Sequence, residues 1–179
     1  MLKITIPSRE MFNEKTQEFF HVHEYTIQLE HSLVSVSKWE SKWNKPFLSK
    51  EKKTIDETID YIRCMTITQN IDPSVYNGLT PELIEKVTKY IDAPMTATTF
   101  ANNKGKANNE VVTSELIYYW MVALNIPKEC EKWHLNRLMT LIRICNIKNQ
   151  PAKKMSKREI MQRNSALNAA RRAKLNSKG

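Results

Sequence analysis

The sequence contains little glycine and little cysteine, and both shortages narrow its possible functions. Only three glycines occur in 179 residues, so a glycine-rich phosphate-binding loop cannot be built. The three cysteines, Cys64, Cys130 and Cys145, are widely spaced and include no Cys-x-x-Cys pair. We therefore expect neither a disulfide framework nor a zinc knuckle, and a reducing compartment fits this cysteine content.

Long apolar runs are also absent. The longest run, Leu116–Leu124, has nine residues, which is about half the length that a membrane-spanning helix requires. The N-terminus is interrupted by Pro7 and by charged residues, so it does not have the pattern of a signal peptide. These features predict a soluble intracellular protein without a membrane partner.

Catalytic and metal-binding patterns are missing as well. No serine or cysteine lies in a nucleophile-elbow context. His21 and His23 would lie on one face of a strand, but no carboxylate or thiol cluster completes a tetrahedral site. Cys130 and His134 have the spacing of neighbours on one helix face. Such a pair is more often a buried thiol beside a packed imidazole than a pair of metal ligands. We therefore expect no enzymatic activity, no cofactor and no resident metal.

Two short segments near the N-terminus alternate between apolar and polar residues. In Leu2–Ile6 and in Tyr25–Glu30 every second side chain is apolar, which is the period of a strand with one buried face. A two-stranded hairpin is marginally stable by itself. We therefore predict an N-terminal β-hairpin whose apolar face is covered by the helices that follow.

Helical patterns follow from residue 32 onward. Thr54 and Glu57 have the spacing of a capping box, and Thr80 followed by Pro81 is typical of a helix start. Residues 93–113 lack periodicity, and we predict an irregular loop within them. Three tryptophans beside apolar neighbours are expected to be substantially buried: Trp39, Trp120 and Trp133.

The strongest apolar segments lie after this loop. As a helix, Leu116–Leu124 is apolar on every side, which favours a central core helix or, less often, an interface with a partner or another copy. A second helix is predicted to open near Pro127. Ile144 falls on its polar face, which favours a covered surface there. The other face is apolar and comprises Leu135, Leu138, Met139, Ile142 and Cys145.

The C-terminal segment, residues 151–179, is strongly basic. It carries nine Lys and Arg residues against one acid, Glu159, whereas residues 1–150 carry 19 basic and 18 acidic residues. Ser156 and Glu159 form a second capping-box pattern ahead of strong helix formers. These patterns predict a mainly α fold: residues 1–150 form a helical domain with a small N-terminal β-hairpin, and residues 151–179 form a basic helical tail.

The tail pattern leaves three interpretations open. A solvated helix, a polyanion-binding helix and a helix that binds an acidic protein are all compatible with clustered cations. The tail has no aromatic residue for base stacking and no recognised DNA-reading motif, and residues 1–150 add no matching charge. Nucleic acid is therefore the less favoured partner, and a protein is the more favoured one.

Several segments of the sequence carry a resemblance to one protein family. They are Leu29–Leu33, Lys38–Trp43, Tyr118–Met121, Glu129–Leu138, Lys153–Ser156 and Leu167–Arg172. Together they resemble the tail assembly chaperones of long-tailed (siphovirus-type) bacteriophages. The similarity covers roughly two thirds of the chain and is weakest across residues 66–114.

The resemblance implies a non-enzymatic protein of the host cytoplasm. Such chaperones bind the helical tape measure protein while the tail tube polymerises around it, and they are absent from the finished virion. The tail tube protein and a longer, frameshifted form of the same chain are further partners that the resemblance implies. The family has no catalytic residues to carry over to this sequence.

The residues and the resemblance together suggest where a partner binds. We expect Leu116–Leu124 and a helix over Trp133–Ile144 to line a groove for an amphipathic helix, with the tail adding charge. The side chains expected to contact the partner are Tyr118, Tyr119, Ile144, Arg163, Arg171, Arg172 and Lys174. Two other functions fit the sequence: a virion component, such as a head–tail connector or tail completion protein, and a small DNA-binding protein that uses the basic tail.

Overall fold

The chain begins with two antiparallel strand pairs, one nested inside the other. In the computed structural model, which describes residues 1–13, 17–100, 111–149 and 156–175, β1 (Leu2–Ile6) pairs with β4 (Tyr25–Leu29). Between them, β2 (Arg9–Asn13) pairs with β3 (Glu18–Val22). The outer pair confirms the strands predicted from alternation, whereas the inner pair was not predicted.

The rest of the described chain is mainly α-helical, as predicted. Two short 3-10 helices, Pro73–Gly78 and Lys128–Lys132, connect α-helices. The α-helices are α1 (Leu33–Trp43), α2 (Ile55–Met65), α3 (Pro81–Asp92), α4 (Ser114–Ala123), α5 (Leu135–Asn149) and α6 (Lys157–Leu175). None of these helices is both long and apolar enough to cross a membrane.

Local hydrogen bonds explain where several helices begin. The Thr54 hydroxyl accepts a hydrogen bond from the Glu57 amide (3.2 Å), and the Glu57 carboxylate accepts one from the Thr54 amide (2.7 Å), so the predicted capping box is confirmed. Thr80 caps α3 with Pro81 in its first turn, again as predicted. Ser32 caps α1 through a reciprocal pair of hydrogen bonds with Ser35.

The core lies between the β1–β4 sheet and the helices that cover its apolar face. Ile4, Ile6, Ile27 and Leu29 are all buried, so the alternating pattern places one face inward. Trp39 is only 1% exposed, and its indole Nε1 donates to the Glu57 carbonyl (2.9 Å), which joins α1 to α2. Trp120 and Trp133 are partly buried and pack against the edge of this core, so the three tryptophans are substantially buried, as predicted.

The segment after α2 runs along the other edge of β4. The Glu30 amide donates to the Met65 carbonyl (2.9 Å), and the Ile67 amide donates to the Gln28 carbonyl (2.8 Å). These bonds add a short antiparallel pairing to the sheet. They also place the end of α2 beside the start of α1.

The chain divides into two compact units, Met1–Asn146 and Ile147–Gly179. The boundary predicted from charge, after residue 150, lies slightly later in the sequence. Residues 101–110, the centre of the predicted loop, lie outside the described residues. The described flanks, residues 93–100 and 111–113, contain no helix or strand.

Candidate functional site

A buried carboxylate fixes the position of α4. Glu40, on α1, accepts hydrogen bonds from the Phe47 amide and from the Ser114 amide, each at 2.7 Å. Ser114 is the first residue of α4, so one side chain joins the end of α1 to the start of a helix far along the sequence. An ionised carboxylate that accepts amide hydrogen bonds makes a strong contact. The helix is therefore held at its N-terminus as well as by packing.

One face of α4 packs against α1 and the opposite face is uncovered. Ile117 and Met121 are buried against the core. Tyr119 and Val122 are 65% and 77% exposed, although both are large and apolar. The prediction of a central core helix is therefore wrong, because only one side of α4 has covering neighbours in the described structure. We call the exposed pair Tyr119 and Val122 the α4 face.

Tyr118 lies beside the α4 face but its hydroxyl is already engaged. It donates to the Glu131 carboxylate (3.0 Å), which joins α4 to the second 3-10 helix. Partial burial, with a smaller effect of Glu131, raises the pKa of Tyr118 to about 12, so the phenol stays protonated at neutral pH. The structure therefore gives Tyr118 a role in positioning α4.

Ile144 lies on α5 and is half-buried. The start of α5 is anchored elsewhere, because the Leu135 amide donates to the His31 carbonyl (2.7 Å). The Asn136 side-chain amide also donates to carbonyls at the end of α3. Two clefts of the described structure, one beside Trp39 and one beside Lys38, are lined by neither Tyr119 nor Ile144. The groove between α4 and α5 stays a prediction, and the described structure shows an exposed face on α4.

The four basic residues predicted to bind a partner lie on α6, in the second unit. Every described residue from 156 to 175 is exposed. The Ser156 amide donates to the Glu159 carboxylate (2.7 Å), and the Glu159 amide donates to the Ser156 hydroxyl (3.2 Å). These bonds match the capping pattern seen in the sequence. The basic residues concerned are Arg163, Arg171, Arg172 and Lys174.

The two buried histidines, His31 and His134, are hydrogen-bonded within the core. The His134 Nε2 donates to the Tyr90 carbonyl (3.0 Å), while its Nδ1 accepts from the Asn136 amide (3.3 Å). The rings of His31 and His134 are 5.1 Å apart, and His31 is hydrogen-bonded to the Tyr61 hydroxyl (2.5 Å). Burial lowers the pKa of both imidazoles, so both are neutral near pH 7.

The other two histidines, His21 and His23, lie side by side on the surface. His21 and His23 are exposed with ring centroids 4.9 Å apart, and the His21 ring is hydrogen-bonded to Ser8 (2.9 Å). In the part of the chain that the structure describes, no group of three His, Cys, Asp or Glu residues could hold a metal ion. Cys130 is buried, and burial raises the pKa of its thiol.

Two residues of this site were not identified from the sequence. Val122 lies on the exposed side of α4 together with Glu115 and Tyr119. These three residues have i, i+4, i+7 spacing, so the charged Glu115 could have indicated from the sequence that this side of the helix is exposed. Glu40 carried no such signal, because one of its amide partners lies 74 residues away.

Comparisons with protein-family models, with curated proteins and with solved structures each find no match to this chain.

Proposed function

We propose that this protein is a non-enzymatic tail assembly chaperone of a long-tailed bacteriophage. In this proposal it binds the tape measure protein in the host cytoplasm while the tail is assembled. The observation that supports it most is the α4 face, a pair of large apolar side chains left exposed on a firmly anchored helix. The resemblance of the sequence to such chaperones supplies the identity of the client.

The α4 face suits the apolar stripe of an amphipathic helix. Such helices present apolar side chains at i, i+3, i+4 and i+7, which is the spacing used when a helix docks on an apolar surface. Burying a side chain such as Val122 contributes roughly 1.5–3 kcal/mol. Burial of two side chains of this size gives a reversible contact. A chaperone needs such a contact because it must later release its client.

The basic tail adds a second, electrostatic contact in this proposal. Charges on exposed residues are screened within about 8 Å at physiological ionic strength. Replacing Arg171, Arg172 and Lys174 with Glu should therefore weaken association mainly at low salt. A matched control reverses three exposed lysines of the first unit, Lys50, Lys52 and Lys86, which changes the net charge equally and should have a smaller effect.

Co-expression with the tape measure protein tests the proposal. The soluble fraction of the tape measure protein should rise several-fold when the wild-type chain is present. Tyr119→Asp and Val122→Asp should reduce that gain at every salt concentration, because they place a charge on the α4 face. Ile55→Asp, at a 74% exposed apolar position of α2, is the control and should retain the gain. Equal solubility of the tape measure protein without this chain would refute the chaperone function.

Two further measurements separate this proposal from the alternatives. Mass analysis of purified virions should not detect this chain if it is a chaperone, whereas a connector or completion protein would be present. The exposed basic helix α6 is the observation that favours DNA binding. Specific, salt-dependent binding of a DNA duplex by the full chain, with no effect on the tape measure protein, would favour that function instead.

A further inference from the structure

A cleft of about 320 Å³ opens where the start of α1, the end of α2 and the second 3-10 helix come together. Its volume lies at the lower end of the range for ligand pockets, about 300–1,000 Å³. It is separate from the α4 face, since neither Tyr119 nor Val122 lines it. The contacts proposed above, on the α4 face and the basic tail, do not involve this cleft.

Two lysines border the cleft from different elements. Lys38 comes from α1 and Lys132 from the second 3-10 helix, and neither forms an ion pair within the described residues. One acid, Glu30, also lines the cleft. Its carboxylate already accepts a hydrogen bond from the Tyr90 hydroxyl (2.8 Å) and pairs with the Met1 α-amine (3.0 Å). The charged side chains that line the cleft are therefore two exposed lysines and one acid that already has partners, which gives the lining a net positive charge.

The remaining lining is partly apolar. Val34, Met65 and Ile67 contribute to it, and Ile67 is exposed although it is large and apolar. A purely ionic ligand, such as free phosphate, would leave this apolar surface uncovered. A ligand that matches the whole cleft combines a carboxylate with an adjacent apolar group.

We infer that this cleft binds an acidic side chain of the client protein together with the apolar side chain next to it. This inference rests on the proposed function. An amphipathic helix presents that combination, because carboxylates flank its apolar stripe on the solvent-facing side. The cleft thus gives the client a second, charge-selective contact on the first unit, distinct from the α4 face.

A pair of charge-reversal variants with equal net charge tests the cleft. Lys38→Glu with Lys132→Glu should lower the soluble fraction of co-expressed tape measure protein several-fold. Lys86→Glu with Lys128→Glu is the control: Lys128 lies on the same 3-10 helix as Lys132 but does not line the cleft. Equal urea midpoints of the two variants would show that both fold.

The outcomes separate the cleft from the chaperone function. If the wild-type chain raises the solubility of the tape measure protein and the cleft variant does so as well as its control, the cleft inference is wrong and the chaperone function stands. If the wild-type chain itself has no effect, both are wrong. Selective loss in the cleft variant supports both.

Cys64 provides a direct readout of occupancy. It lines the cleft and is half-buried, and burial raises the pKa of its thiol, so alkylation is best followed at alkaline pH. Bound tape measure protein should slow alkylation of Cys64 by iodoacetamide several-fold, measured by mass spectrometry of peptides. Cys145 is half-buried outside the cleft and should react at an unchanged rate. An unchanged rate at Cys64 in the complex would overturn the inference.

Discussion

At the scale of single residues, Glu40 is the contact that ties α4 to α1. Both of its oxygens accept backbone amide hydrogen bonds, and the residue is buried. In Glu40→Gln one of these acceptors becomes an NH₂ group facing an amide donor. We expect a loss of about 1–3 kcal/mol in the free energy of unfolding, measured by urea denaturation. Glu82→Gln, on the exposed side of α3, should change it little, and equal stability of both variants would contradict the assigned role of Glu40.

The buried histidine pair makes stability depend on pH. Burial, together with the nearby His134, lowers the pKa of His31 to about 3, and burial also lowers the pKa of His134. Because both pKa values are lower in the folded state than in the unfolded state, the unfolded chain binds more protons below pH 6.5. The stability that the two neutral histidines contribute is therefore fully present above that pH. It is lost as the pH falls towards their pKa values in the folded state.

The expected size of this effect follows from His31 alone. Lowering the pH from 7 to 5 should reduce the free energy of unfolding by about 2 kcal/mol, with His134 acting in the same direction. This window lies above the ordinary pKa values of Asp and Glu side chains, about 3.9 and 4.3. A flat profile between pH 7 and 5 would show that the imidazoles are not held neutral.

At the scale of elements, the two faces of α4 should respond differently to truncation. Ile117 is fully buried, so Ile117→Ala should cost about 2–5 kcal/mol in the free energy of unfolding. Val122 is largely exposed, so Val122→Ala should stay within about 0.5 kcal/mol of the wild type. Thermal or urea unfolding of the two variants measures the difference. A large cost at Val122 would mean that the α4 face is covered within the folded chain.

The C-terminal helix should add little to the stability of the first unit. No residue of α6 is buried, so its removal takes away little apolar contact area. A chain that ends at residue 150 should unfold within about 2 °C of the full-length chain. A fall of many degrees, measured by circular dichroism, would mean that the tail packs on the rest of the chain and is not available to a partner.

The elements that were predicted from sequence are those with local causes. The Thr54–Glu57 capping box joins residues three apart, and the alternation in Leu2–Ile6 follows from the burial of one sheet face. The β2–β3 pair was missed because its segments lack that alternation, with Phe19 and Phe20 adjacent. The exposure of α4 was missed because apolar composition does not specify which neighbours cover a helix.

At the scale of the whole molecule, the chain consists of a folded first unit and an exposed basic helix in the second. The first unit carries the two surfaces that we propose contact a helical client, the α4 face and the cleft with Lys38 and Lys132. No local sequence pattern predicts the cleft, because its lining residues come from three separate segments. Above all, we propose that the α4 face contacts the tape measure protein.

Site-specific photo-crosslinking in infected cells tests that claim most directly. A benzophenone amino acid at position 122 should crosslink to the tape measure protein during tail assembly, because this position is exposed at the centre of the proposed contact. The same group at position 55, which is equally exposed on α2, should not. Crosslinks from position 122 to a second copy of this chain, to another virion protein or to no protein would contradict the account.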